Sequence, residues 1–357
     1  MTLIIAEAGV NHNGDPELAR ELIKAARDAG ADIVKFQTFK ADKLVTKEAQ
    51  QANYQTENTG KKESQYDMLK RLELPPELHY ELVAYSNELG IEFLSTAFDD
   101  ESLNFLVNDL GLKRLKVPSG EITNAPFLLA HARTQCDLVV STGMATLAEI
   151  ETALAIIAFG YLDKTTEKPA LPNFEAPYAS SEGQRVLQDK VTILHCTTEY
   201  PAPFDEINLN AMDTIHQAFK LPVGYSDHSD GIIIPIAAAA KGARIIEKHF
   251  TLDRHLEGPD HKASLEPEQL KQMVTSIRTI EKALGDGIKR PTKSEINNKP
   301  IARRSLVAAR RLKAGQVITK KDIAVKRPGG GLSPIYYWHI QGKICKQNYE
   351  AGELIFE

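Results

Sequence analysis

Cysteine is scarce. Cys136, Cys196 and Cys345 are the only three in 357 residues, and no two share a C-x-x-C spacing. An odd, scattered set excludes a disulfide framework and a closed zinc cluster. An excess of positive charge is also missing: the net charge is −5, which gives no footprint for nucleic acid. No run approaches the roughly 18–20 apolar residues of a membrane span. The opening MTLIIAEAGV has neither the basic start nor the longer apolar core of a signal peptide. Long low-complexity tracts are absent too. These absences predict a cytoplasmic chain with no membrane or nucleic-acid partner. A charged fraction of 25% and a hydrophobic fraction of 42% suit an ordinary globular protein.

What is present is an alternation. Short β-branched runs fall at 3–9, 32–39, 92–98, 114–121, 137–144, 191–200, 222–228 and 243–251, with helical patterns between them. Their apolar stretches suit strands buried on both faces. Asp15 and Pro16 mark one helix start and Gly30 its end. Eight strands, each followed by a helix, predict an α/β fold of the (β/α)8 TIM barrel type over 1–286. Two stretches break the rhythm. Segment 41–73 falls at the C-terminal, active end of the barrel and reads as a functional loop. Segment 163–189 falls at the opposite end and reads as structural or mobile. After a polar, basic linker at 287–300, a small second domain follows over 301–357. Its short apolar runs are separated by Gly/Pro turns.

Chemistry in such a barrel sits at the C-terminal strand ends. Here every one of those ends is polar. Glu7, Lys35, Gln37, Thr96, Lys116, Ser119, Glu121, Ser141, Tyr200, Ser226, His228 and His249 all fall there. His228 and His249 end neighbouring strands about 4.8 Å apart. They are either two ligands of one divalent ion, with Glu7 or Asp260 as a nearby acid, or two rim histidines. Lys35 and Lys116 sit in apolar strands where an unpaired ammonium is costly. With the hydroxyls around them they form an anion site, or they pair structurally with Glu7 or Glu121. Arg327, beside Pro328 and three glycines, projects from a tight loop of the second domain.

Ten segments in order carry a family resemblance: IAEAGVNHNGD, VKFQTFKADKL, FLSTAFD, LKVPSGEITN, STGMATL, HCTTEYPAP, GYSDHS, EKHFTLDR, GPDHKAS and VKRPGGGLSP. The chain resembles the sialic acid synthases, nearly end to end. The resemblance implies a TIM barrel followed by an antifreeze-like (SAF) domain, in a domain-swapped homodimer where that domain covers the partner's barrel. It implies a divalent ion, Mn2+ or Mg2+, on His228 and His249. Lys35, Thr96, Lys116, Ser119, Ser141 and Ser226 would bind phosphoenolpyruvate. Gln37, Tyr200, Asp260 and Arg327 would bind the sugar, and Glu7, Glu121 and Asp260 are the candidate catalytic acids. Thr198 departs from the pattern, standing where several members have asparagine. The expected reaction condenses phosphoenolpyruvate with open-chain N-acetylmannosamine to give N-acetylneuraminate. The alternative acceptor is 2,4-diacetamido-2,4,6-trideoxymannose, giving N,N'-diacetyllegionaminate. A metal-dependent aldolase or hydrolase on the same barrel would not need two rim lysines. A purely binding role leaves the polar rim unexplained.

Overall fold

The computed structural model describes residues 1–60, 62–162 and 169–356. They divide into two compact units, Met1–Gly285 and Asp286–Glu357.

In the first unit, eight parallel strands close into a barrel in chain order. They are β1 (Leu3–Gly9), β2 (Ile33–Thr38), β3 (Glu92–Ala97), β4 (Arg114–Val117), β5 (Asp137–Ser141), β6 (Val191–Cys196), β7 (Val223–Asp227) and β8 (Ile245–His249). Every strand is followed by a helix. The helix Pro16–Asp28 shows how these are punctuated: Asp15 accepts hydrogen bonds from the Glu17 and Leu18 amides, and Pro occupies the first turn. Its buried stripe of Ala19, Leu22, Ile23 and Ala26 packs against the barrel wall, where the main core lies between strands and helices.

A second, smaller core fills the barrel. Ile5, Ile33, Leu94, Val139, Leu194 and Ile245 meet there, one each from β1, β2, β3, β5, β6 and β8. Successive strand side chains alternate between faces, so the residue two further on also points inward. Those residues are Glu7, Lys35, Thr96, Ser141, Cys196 and Glu247. The apolar layer is thus the floor on which the polar layer stands.

The structure shortens several expected strands. β4 stops at Val117, and Ser119–Glu121 forms a single 3-10 turn after Pro118. β5 and β6 stop at Ser141 and Cys196, so 142–144 and 197–200 are rim loop. Segment 41–73 is not irregular: it holds the helices Ala41–Leu44, Asn53–Thr59 and Gln65–Leu72. In segment 163–189, the first six residues lie outside the described part. The remainder includes Leu171–Ala179 and most of Ser181–Lys190, two helices whose buried Phe174 and Leu187 join the main core.

The second unit pairs β9 (Ser305–Ala308) antiparallel with β10 (Ile323–Lys326). Leu306, Ala308, Leu312, Ile318 and Ile323 form part of its own core. Buried Asp322 accepts from Arg310 Nε at 2.6 Å and from the Thr319 hydroxyl at 2.6 Å, which ties the chain between the strands. The stretch 287–300, read as linker, carries most of a helix, Lys293–Ala302. Thr292 and Glu295 form its capping box, a start signal present in the sequence. Glu357 lies outside the described residues.

Candidate active site

A cavity of about 240 Å³ opens at the C-terminal end of the barrel. Its lining includes Glu7, Lys35, Gln37, Thr96, Lys116, Ser119, Ser141, Tyr200, Ser226, His228, His249 and Asp260. Two expected site residues are not among them. The Glu121 carboxylate accepts from Asn124 Nδ2 at 2.7 Å and serves the turn that starts the helix Ala125–Arg133. Arg327 belongs to the second unit, where it is exposed after β10.

The lysines are paired, but not with Glu121. Lys35 Nζ lies 2.7 Å from Glu7 Oε2 and 3.5 Å from Glu247 Oε2. It also donates to Thr96 Oγ1 at 3.1 Å. Lys116 Nζ lies 2.7 Å from Glu247 Oε1, which also accepts from Ser226 Oγ at 2.8 Å. Glu247 therefore bridges both ammonium groups. Burial alone would raise its pKa, but Lys116 and Lys35 outweigh burial and hold it well below the ordinary carboxylate value. Glu7 goes the other way. Burial, with some help from Glu247 and against Lys35, pushes it up to about 7. Two carboxyls on one floor thus differ sharply in proton affinity, which suits one to hold cations and the other to exchange a proton near neutrality. Ser141 Oγ is buried in the lining with no hydrogen-bond partner in the protein, as expected of a ligand-facing hydroxyl.

Glu247 is not among the residues that the sequence assigned a role. The signal was there: Ile245 and His249 share its face of β8, so a carboxylate between them had to point inward.

Beside this cluster, where His249 ends β8 as the register partner of Glu7, the His228 and His249 ring centroids are 5.7 Å apart. His228 Nδ1 lies 2.6 Å from the Thr197 carbonyl, so Nδ1 carries the proton and Nε2 keeps its lone pair. Burial holds the His228 pKa down at about 4, and that of His249 well below its ordinary value, so both rings are neutral. His249 Nδ1 is buried with no hydrogen-bond partner, 3.9 Å from Asp260 Oδ2. Tyr200 stacks on His228 at 4.1 Å. Burial pushes Asp260 up to about 6. Neutral imidazoles with available lone pairs are what a divalent ion requires. Among the described residues no group of three or more His, Cys, Asp or Glu is placed to hold a metal ion, so the protein offers only this pair. Two other histidines have backbone partners: His195 Nε2 bonds the Ile207 carbonyl at 2.8 Å, and His12 Nδ1 accepts from the Gly14 amide at 2.9 Å.

The chain matches the NeuB family over residues 22–289 and the SAF domain over 303–357. It belongs to the NeuB family. It is 49% identical to N,N'-diacetyllegionaminic acid synthase of Campylobacter jejuni, covering 100% of this chain and 99% of that one. The enzyme of the same name from Legionella pneumophila is 48% identical, over 98% of this chain and 92% of that one. The crystal structure of N-acetylneuraminic acid (sialic acid) synthetase from Leptospira borgpetersenii, in complex with citrate, aligns with a TM-score of 0.66 at 34% identity. It covers 83% of this chain and 90% of that one.

Several of the motif segments of this NeuB chain brace the rim. Asn11 Nδ2 donates to the Phe250 carbonyl at 2.8 Å and Asn13 Nδ2 to the Glu257 carbonyl at 2.8 Å, joining the loops after β1 and β8. Behind the histidines, Asp227 and Lys248 face away from the cavity, and both are fully buried. They are cross-strand partners in the β7–β8 register, 2.6 Å apart, and Lys248 also donates to the Ser229 carbonyl. This pins the chain on both sides of His228. Lys248→Met should cost about 3–5 kcal/mol in chemical denaturation, because it strands Asp227 as an unpaired buried charge. A loss under 1 kcal/mol would show that the pair carries no such burden.

Gly143 marks a close approach. A Cβ there would collide with Thr198 Oγ1 and come within 2.9 Å of Ser119 Oγ, which bonds the Gly143 amide at 3.0 Å. Both hydroxyl residues line the cavity. Because side-chain tips can rotate aside, Gly143→Ala should fold. It should raise the KM for the anionic substrate about tenfold by displacing those hydroxyls. An unchanged KM would remove them from anion binding.

Proposed function

We propose that this protein joins phosphoenolpyruvate to open-chain 2,4-diacetamido-2,4,6-trideoxymannose and releases phosphate, forming N,N'-diacetyllegionaminate. The observation that carries the reading is the cavity itself, which two neutral histidines, two buried lysines and several hydroxyls line together. The acceptor expected first from the sequence, N-acetylmannosamine, becomes the second reading. The legionaminic synthases stand at 49% and 48% identity, against 34% for the sialic acid synthetase structure.

In this mechanism Lys35, Lys116, Thr96, Ser119, Ser141 and Ser226 hold the phosphate and carboxylate of phosphoenolpyruvate. Binding an anion there loosens the lysines from Glu247, which keeps them aligned until then. C3 of phosphoenolpyruvate attacks the aldehyde carbon of the sugar, moving the C=O electron pair onto oxygen and leaving C2 cationic. Water adds at C2, Glu7 accepts its proton and passes it to the new sugar alkoxide, and the C2 hydroxyl collapses to a ketone as the C2–O bond to phosphate breaks, the phosphate leaving with the hydroxyl proton. Gln37, Tyr200 and Asp260 orient the sugar hydroxyls. Holding both substrates in line is worth up to about 7–11 kcal/mol. His228 and His249 would hold a manganese or magnesium ion, whose Lewis acidity polarises a carbonyl. In a homodimer, the SAF domain would bring Arg327 to the partner's barrel to read the sugar's N-acyl group. No described helix is long and apolar enough to cross a membrane.

The test is phosphate release with phosphoenolpyruvate and each sugar in turn, with the product weighed by mass spectrometry. Release that requires both substrates, and is fastest with the diacetamido sugar, is the expected result. Release without any sugar would mark a phosphatase and overturn the reading.

A further inference from the structure

The cavity has an unequal lining. Its floor is charged, but one wall is formed by Val10, Met68, Leu69, Leu72 and Phe98. Three of these come from the helix Gln65–Leu72, in the segment between β2 and its barrel helix. Val10 and Phe98 follow β1 and β3, so strands on either side of β2 complete the surface.

The wall is built, not incidental. Val10, Met68 and Leu72 are buried in a cluster with Phe39, and Leu69 and Phe98 pack against it while staying partly exposed. Phe39 meets Phe98 edge to face at 6.1 Å. The segment is also tied down. Asn58 Nδ2 donates to the Pro259 carbonyl at 2.7 Å, beside Asp260, and Arg71 pairs with Glu63 at 2.6 Å.

Phosphoenolpyruvate has no use for such a surface, since its anionic groups belong on the lysine floor. The acceptor sugar must therefore meet it. N-acetylmannosamine carries hydroxyls at C4 and C6, and against Leu69 or Phe98 they would lose water with no partner in return. The trideoxy sugar carries a methyl at C6 and an acetamido methyl at C4, which the wall can bury.

We propose that Leu69 and Phe98 are specificity-determining residues that select an acceptor presenting methyl groups, one at C6 and one on a C4 acetamido substituent, to this wall. The inference rests on the reaction proposed above and deepens it. An apolar contact of this kind is worth about 10–200-fold in discrimination.

The experiment compares kcat/KM for phosphate release with the two sugars, at saturating phosphoenolpyruvate, in the full-length protein and in Leu69→Gln and Phe98→Tyr. Leu69→Met serves as the conservative control. Wild type should favour the trideoxy sugar. Leu69→Gln should lower that preference at least tenfold, mainly through the KM of the trideoxy sugar, while the KM for phosphoenolpyruvate stays put and Leu69→Met keeps the preference. Phe98→Tyr adds a hydroxyl with little change in volume, so it answers the same question if Leu69→Gln does not fold. Equal losses with both sugars, or an unmoved ratio in a folded variant, would make the wall merely structural and overturn the inference alone. A wild type that favours N-acetylmannosamine, or uses neither sugar, overturns the proposed acceptor and takes this inference with it.

Discussion

Lys116→Met should leave a folded protein with kcat/KM for phosphoenolpyruvate down by about 10²–10³-fold, the range seen when one preorganised electrostatic donor is removed. Lys116 is buried, with 5% of its side chain exposed, and its ammonium is 2.7 Å from Glu247. Methionine fills nearly the same space, so packing survives. The remaining Glu247 keeps Lys35 at 3.5 Å and Ser226 at 2.8 Å, so its charge is not abandoned. On the proposed reaction, what disappears is one of two cations that would neutralise a substrate carrying both phosphate and carboxylate. The loss should appear largely in terms for phosphoenolpyruvate, with a smaller change for the sugar. Steady-state phosphate release at varied phosphoenolpyruvate measures it. A fall of less than tenfold would mean that Lys116 only offsets Glu247.

His249→Ala should bring turnover down by about 10³-fold or more. It should also abolish the calorimetric isotherm obtained when chelator-treated wild type is titrated with Mn2+. The His249 ring stands across from His228, and its Nδ1 is buried without a hydrogen-bond partner. With alanine there, one imidazole remains, too little to retain a divalent ion against water. Loss of carbonyl polarisation is worth several kcal/mol, and each 1.36 kcal/mol is about tenfold in rate. The isotherm separates a ligand from a merely structural ring. Wild-type-like turnover in the folded variant would refute the metal role, and an intact isotherm with lost turnover would reassign His249 to substrate contact.

Much of this was legible along the chain. Period-2 alternation is a local property, so the inward set of each strand could be read without knowing its neighbours. Ile5 to Glu7, Ile33 to Lys35 and Val139 to Ser141 each step from apolar floor to polar rim. Twelve of the fourteen expected site residues therefore fall in one cavity. Glu121 does not, because Pro118 ends β4 before that carboxylate is reached, and the turn that follows directs it to Asn124. Segment 41–73 read as a functional loop on position alone, while the helices Ala41–Leu44 and Gln65–Leu72 place Leu44, Met68, Leu69 and Leu72 against Val10 and Phe98, partners that lie elsewhere in the chain.

Local pattern determined the barrel, its polar end and the identity of nearly every residue at that end. Tertiary structure decided who meets whom. Glu247 reaches Lys116 across 131 positions of sequence, and Lys35 shares the same carboxylate only because the sheet closes on itself. Likewise the apolar wall exists only where the Gln65–Leu72 helix folds onto the loops after β1 and β3. Strand periodicity acts over neighbouring residues and leaves its mark in sequence. Charge pairing and wall packing act through space, and they are set only when the last strand hydrogen-bonds to the first.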